Sequence, residues 1–360
     1  MKTEAVVFEA PLKVALWSVD LPELSDNQVL IKTHYSSISP GTELRTLAGK
    51  EKHAPDFPLI PGYSSVGEVI ATGKSVKGLK KGTMVSVRGG LPLSDKLKSS
   101  WGGHSGHLIV SQEEAFVLPD GINYKEATLT ALLATALHGV DLANIRIKEQ
   151  VAVVGLGLVG QLCARLLQYG GANVVATDLI EHRRKVAEKA GIPVVAPSAD
   201  IRKAFEAYFP YGAEVVVDAT GSPKTMAPSL SLLREKPRQD PCGSAQDESA
   251  SGNEVGVFEK LKQMSHLQNG WRGPRIIVQG SYADPINICY YDLFDNEAGF
   301  IVPRVHELKD VFRAVELFAD PDFNLDGLFS ETLSYKDAPA VYQKIMKDPS
   351  NIITECFSWK

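Results

Sequence analysis

The sequence predicts an α/β chain of two domains, a β-rich domain followed by a doubly wound parallel sheet, with the chain returning to the first domain at its end. Three observations predict this. The first 120 residues carry short β-branched runs spaced by Gly, Pro, Asn and Asp; strand and helix patterns alternate from Gln150; and Gly155-Leu156-Gly157-Leu158-Val159-Gly160 joins the first such strand to the first such helix. A length of 360 residues also favours two domains over one.

The elements follow in order. The runs "AVVFEA", "QVLIKTHY", "SVGEVIATG", "TMVSV" and "GHLIV" read as strands of a compact barrel or sandwich. Within this part, "HYSSISPGTELRTLAG" and "PLIPGYSSVGEV" read as turns that present side chains to a cleft. Near Tyr124 the texture changes to "YKEATLTALLATALHGV", apolar at helical spacing. "VAVVGLG" is a wholly apolar strand of the kind found in the middle of a parallel sheet. Helix "LVGQLCARLLQYGG", strand "NVVATD", helix "IEHRRKVAEKAG", strand "AEVVVDATG", helix "MAPSLSLLRE" and strand "RIIVQGS" follow. Between the last two, residues 237–273 form a polar insertion with a possible amphipathic helix, "VFEKLKQMSHL", expected to be a surface excursion, a lid or a subunit contact. The remainder mixes "INICYYDLFDNEAGFIV", a helix "LKDVFRAVELFAD" and the closing "APAVYQKIMKD" and "IITECFSW".

Composition sets outer limits. Hydrophobic residues make up 44% and charged residues 22%, as in an ordinary globular enzyme. The longest apolar run, around residues 151–158, is far short of the roughly 20 residues of a membrane span. "MKTEAVVFEA" lacks the apolar core of a signal peptide, which predicts a cytoplasmic protein. A net charge of −5 and a pI of about 6.0 carry no footprint for nucleic acid. Cys163, Cys242, Cys289 and Cys356 are scattered, which predicts free thiols and no structural zinc.

The glycine motif predicts a dinucleotide site, because it follows a buried strand and opens a helix. Gly155 allows the tight turn, Gly157 lets backbone approach a pyrophosphate, and Gly160 lets helix and strand pack closely. N–H groups at Leu158 and Val159 and the helix dipole favour an anion there. Asp178 ends the second strand, 23 residues after Gly155, where a carboxylate accepts ribose hydroxyls and repels a 2′-phosphate. This argues for NAD. His182, Arg183 and Arg184 follow closely and keep NADP open, since an arginine there can hold that phosphate.

The whole chain resembles the medium-chain dehydrogenase/reductase superfamily. "PLIPGYSSVGEVIATGKSVKGLKKGTMVSV" is similar to its "GHE…VGEV…G…GD-V" segment, and "TALLATALHGV" to the helix entering its nucleotide domain. "ISPGTE" and "PGYSSVGEV" resemble a subgroup that includes bacteriochlorophyllide a dehydrogenase. The resemblance implies a GroES-like β-rich catalytic domain over 1–131 and 305–360, and a Rossmann domain over 132–304. It also implies Thr135 against the nicotinamide ring, Asp218, Thr220 and Gly221 near the ribose, and Gln279, Gly280 and Ser281 at the nicotinamide amide.

The zinc positions of that superfamily fall on Pro40, Tyr63 with Ser64 behind it, and the vicinity of Ala131, so no metal is expected. A hydrogen-bond donor must then polarise the substrate oxygen. Tyr63 is the first candidate, its phenol needing a lowered pKa, with Ser39, Thr42 and Glu43 to orient it or relay protons. His104 and His107 are further candidates, expected to share one face of a strand. The expected function is zinc-independent, NAD(P)-dependent interconversion of a secondary alcohol, polyol- or sugar-like or larger, and a ketone. The alternatives are NADPH-dependent reduction of an activated double bond and a non-catalytic dinucleotide sensor or scaffold. Expected partners are a small-molecule substrate and further copies of the chain, as a homodimer or homotetramer through "AGFIV", with no nucleic acid and no membrane. Pocket walls are expected from 88–102 and 290–300.

Overall fold

A computed structural model describes residues 1–235 and 273–360. The insertion expected over 237–273 therefore lies outside the described residues except for Gly273, as does Cys242. Cys163, Cys289 and Cys356 are free thiols.

The N-terminal part contains β1 (Lys2–Ala10), β2 (Lys13–Asp20), β3 (Gln28–Ser37), β4 (Leu59–Ile60), β5 (Ser65–Thr72), β6 (Met84–Val87), β7 (Lys98–Ser99), β8 (His107–Ser111) and β9 (Ala115–Val117). The run 13–20 has no clear strand pattern of its own and becomes β2 because it pairs antiparallel along nearly all of β1. These strands form a four-stranded sheet ordered β2-β1-β4-β7 and most of a seven-stranded sheet. The latter runs β16-β17-β3-β5-β6-β9, with β8 also on β3. Its first two members are β16 (Phe329–Ser334) and β17 (Thr354–Ser358), so the chain's end does return to the N-terminal sheet.

One expected turn is a helix. α1 (Pro40–Leu47) follows Ser39 directly. Proline is tolerated at the first helical position, where its missing N–H has no partner to lose, so "SPGTE" starts a helix rather than only breaking a strand.

The nucleotide-type part is a parallel sheet ordered β12-β11-β10-β13-β14-β15. Its strands are β10 (Gln150–Val154), β11 (Asn173–Thr177), β12 (Val194–Val195), β13 (Val215–Asp218), β14 (Arg275–Val278) and β15 (Gly299–Ile301). The apolar run of β10 is explained by its central place: Val151 and Val153 join the core on one face, Ala152 and Val154 the core on the other. α2 (Thr130–Ala143), α3 (Leu158–Tyr169) and α8 (Leu308–Leu317) contribute to the first face, and α5 (Ile201–Phe205) and α6 (Met226–Ser231) to the second. α4 (Glu181–Lys189) follows β11, and α7 (Tyr290–Phe294) is a short exposed helix before β15. α9 (Ala338–Lys347) packs Val341, Tyr342 and Ile345 against Phe8, Leu47 and Phe357 of the N-terminal part. No helix of the described residues is long and apolar enough to cross a membrane.

A buried ion pair locks α2 to the sheet. Arg275 donates to both oxygens of Glu149, at 2.8 and 2.7 Å, and to the carbonyls of Ala143 and Asn144 at the end of α2. Removing one partner would leave the other charge buried without compensation. Glu149→Ala is therefore expected to destabilise the fold by about 3–5 kcal/mol, measured by chemical denaturation.

Candidate active site

The C-terminal ends of β10, β11, β13 and β14 open onto a cleft of about 960 Å³, which also reaches α1 and the loop holding Tyr63. At the centre is the turn from β10 into α3. Gly155 has φ +91°, a left-handed conformation that glycine adopts at no steric cost. A Cβ on Gly160 would stand 1.9 Å from the Gly155 carbonyl oxygen, so close packing of turn and helix requires that glycine. A Cβ on Gly157 would meet nothing within 4 Å. Gly157, Leu158 and Val159 line the cleft, and Gly160 does not. The N-terminus of a 12-residue helix thus faces open space, which suits an anionic ligand.

At one end lies Asp178, just past β11. Its Oδ2 accepts from Leu156 N–H at 2.6 Å and its Oδ1 from Ile180 N–H at 2.8 Å, which fixes the carboxylate beside the glycine turn. Each oxygen retains a lone pair for a further donor. Arg183 also lines the cleft, 3.7 Å from Asp178, with its Nε buried and unpartnered. Arg184 is spent on the carbonyls of Asp178 and Leu179, and neither it nor His182 lines the cleft.

Asp218 corrects an expectation. It is fully buried and does not line the cleft; Thr220 and Gly221 do. Its carboxylate accepts from Thr220, Thr225, Ser229 and Tyr282, so it organises the loop behind the cleft.

At the other end, the Gln279 amide donates to the Thr135 carbonyl at 2.9 Å and ties β14 to α2. Thr135, Gln279, Gly280 and Ser281 line this end. Ser281 Oγ accepts from Arg45 of α1 at 3.1 Å, a bond across the cleft. Opposite lie Ser39, Thr42 and Tyr63. A helix N-cap serine usually caps with its hydroxyl, but Ser39 Oγ sits 2.5 Å from Tyr63 Oη instead. Glu43 holds the helix start in a different way: its Oε1 accepts the N–H of Ser39 itself at 2.7 Å.

Glu43 and His104 are not cleft residues. Both are completely buried, with His104 Nε2 3.0 Å from Glu43 Oε2 and Tyr342 donating to the same oxygen. His104 Nδ1 is bonded to Ser36 at 2.8 Å. His107 does not share its face: it begins β8, 3.1 Å from Thr3, whereas His104 lies in the loop before it. An offset of three residues cannot keep two side chains on one face of a strand.

The Tyr63 phenol also differs from expectation. Burial pushes its pKa above the ordinary value, opposed in part by the Ser39 and Thr42 hydroxyls, so it stays protonated at neutral pH. It is built as a hydrogen-bond donor.

Arg88 and Trp101 line the cleft within the wall expected from 88–102, whereas Arg304 and His306 line it with no signal of their own in the sequence. Trp101 packs edge-on to Tyr63 at 5.1 Å. His306 Nδ1 is 3.1 Å from Thr135 Oγ1, and its pKa is lowered by burial first and by the Arg88 charge second. The wall expected from 290–300 is elsewhere: Tyr290, Tyr291 and Phe294 are exposed and outside the cleft lining.

Comparison with known proteins agrees with this architecture. Residues 25–120 match the alcohol dehydrogenase GroES-like domain, and 159–271 match the family described as zinc-binding dehydrogenase. L-galactonate-5-dehydrogenase of Escherichia coli is 31% identical over 65% of this chain and 74% of its own. The chain belongs to the medium-chain dehydrogenase/reductase superfamily. Its members here are oxidoreductases, and so is this protein. The 2-desacetyl-2-hydroxyethyl bacteriochlorophyllide A dehydrogenase of Rhodobacter capsulatus is 25% identical over 100% of this chain and 99% of its own. A dehydrogenase structure from Sinorhizobium meliloti bound to NADP superposes with a TM-score of 0.79 at 20% identity, covering 99% of both chains.

The zinc that the matched family name implies does not fit the residues present. No group of three or more His, Cys, Asp or Glu among the described residues could hold a metal ion. Pro40, Tyr63 and Ala131, the positions to which the resemblance assigns zinc ligands, line the cleft with no thiolate, imidazole or carboxylate among them.

The two glycines separate packing from binding. Gly160→Ala is expected to lower stability by about 1–3 kcal/mol, because backbone must shift. Gly157→Val should leave the unfolding midpoint unchanged and weaken NADH binding by roughly tenfold or more, read by fluorescence titration.

Proposed function

We propose that this protein is a zinc-independent, NAD(P)-dependent oxidoreductase that interconverts a secondary alcohol and a ketone. One observation carries the reading. A helix N-terminus open to an anion and a buried Ser39–Tyr63 hydroxyl pair face the same cleft. A bound nicotinamide supplies hydride transfer; the chain supplies everything else.

Asp178 holds the adenosine ribose through its remaining lone pairs, supported by its fixed orientation beside the glycine turn. Gly157 and the first N–H groups of α3 take the pyrophosphate. Thr135 and the backbone at Gly280 and Ser281 orient the nicotinamide end, with Gln279 holding α2 against β14. Tyr63 donates its O–H to the substrate oxygen. In ketone reduction that proton passes to the product oxygen, and Ser39 Oγ, at 2.5 Å, relays its replacement from solvent in the cleft, so that both hydroxyls end protonated. Bulky aromatic and apolar groups, with Trp101 against Tyr63, narrow this end and limit water.

Use of NADPH, with double-bond reduction, is the second reading. It is favoured by Arg183, which reaches the cleft beside Asp178 with an unpartnered Nε. Assembly as a homodimer or homotetramer belongs to the main reading, supported by β15, which among the described residues pairs with β14 alone.

Titration of chelator-treated protein with NADH and NADPH decides between the readings. Tight NADH and weak NADPH binding is expected, unchanged by added zinc; NADPH preference would favour the second reading, and binding of neither would overturn both. Tyr63→Phe is expected to lower kcat for ketone reduction by about 100-fold or more at unchanged thermal stability. Because burial raises the Tyr63 pKa, the wild-type reduction rate should show no loss from phenol ionisation until above about pH 10.

A further inference from the structure

The cleft contains arginines of two kinds. Arg45 is neutralised by Glu51 at 3.0 Å and bonded to Ser281, and Arg183 has Asp178 and the Pro349 carbonyl. Arg88 and Arg304 have neither ion-pair nor hydrogen-bond partner among the described residues. Arg304 is exposed, so water solvates it. Arg88 is not: it is half-buried one residue beyond β6, and its Nε is cut off from solvent with nothing to donate to. A buried donor without an acceptor is costly, and more so on a charged group.

The position of this unsatisfied cation is also informative. Its charge is felt at His306, which is bonded to Thr135, and so it belongs to the end of the cleft opposite Asp178. The acidic lining residues do not supply a partner, since Glu51 is held by Arg45 and Asp178 by backbone N–H groups and Arg183. A free cation there runs against a net charge of −5 for the chain.

We propose that Arg88 binds an anionic group of the substrate, a carboxylate or a phosphate monoester, with Arg304 as a second cation at the same cleft. Arg88 lines the cleft, and the two terminal nitrogens of its planar guanidinium form a fork that matches two oxygens of either anion. The bound anion compensates a charge that has no other partner among the described residues. The substrate is then an acidic hydroxy compound whose anion meets Arg88 and whose reacting oxygen meets Tyr63 in the same cleft. The identification of the anion as part of a substrate rests on the oxidoreductase reading above; the anion site itself does not.

The test is calorimetric titration of the NADH-loaded protein with malonate and with inorganic phosphate, in wild type, Arg88→Gln and Arg304→Gln. Saturable binding of at least one anion is expected, weakened about tenfold or more by Arg88→Gln with NADH affinity unchanged. Binding of malonate alone identifies a carboxylate, of phosphate alone a phosphate monoester, and of both the shared chemistry. Binding of neither anion overturns the proposal. So does an unchanged affinity in Arg88→Gln, or a loss confined to Arg304→Gln. If NADH itself does not bind, the oxidoreductase reading fails, and the same titrations on unloaded protein still decide the anion site.

Discussion

Glu43 is buried among donors from three distant parts of the chain: the Ser39 N–H at the start of α1, His104 in the loop before β8, and Tyr342 of α9. A carboxylate in that position is tolerable only while its oxygens are satisfied, so the three segments are held together by a common need. The consequence reaches the cleft. Glu43 fixes the Ser39 backbone through its N–H, and the Ser39 hydroxyl, which makes no cap bond, meets Tyr63. His104 is in turn held by Ser36, which also accepts from Trp359 near the chain's end. The substrate side of the site is thus supported by a polar network that never touches the cleft.

The cofactor side rests on close backbone contact instead. The approach of Gly160 to the Gly155 carbonyl sets the angle between β10 and α3, and Asp178 then pins the turn through the Leu156 N–H. Asp218 performs a similar task on the other side of β10, gathering hydroxyls from the loop and from Tyr282. That proximity pushes the Tyr282 phenol well above its ordinary pKa, burial being the larger cause. Two carboxylates at the ends of the strands that flank β10 therefore have different work. One faces the cleft and keeps lone pairs free, and the other is enclosed and satisfied.

These two supports meet across the cleft at few points, of which Arg45 to Ser281 is one. The chemistry is set by what each side leaves unsatisfied. On the cofactor side it is the first N–H groups of α3, and on the substrate side the Ser39–Tyr63 pair and the Arg88 guanidinium.

By itself the sequence determined the two kinds of domain, the glycine turn, the strand carrying Asp178 and the presence of Tyr63 and Ser39 in facing turns, because local periodicity and steric need are written in consecutive residues. It also marked the lack of a cysteine and histidine pair in those turns. Only the tertiary structure decided which polar residues face the cleft. Glu43, His104 and Asp218 look as suitable as Tyr63 in a string of letters, yet each is enclosed by partners tens to hundreds of residues away. Arg88 and His306 show the reverse: neither belongs to a motif, and their place is set by a strand end and by a bond to Thr135 across 171 positions of sequence. Local pattern fixes what an element is, whereas the satisfaction of buried charge, which depends on every neighbour at once, fixes what an element does.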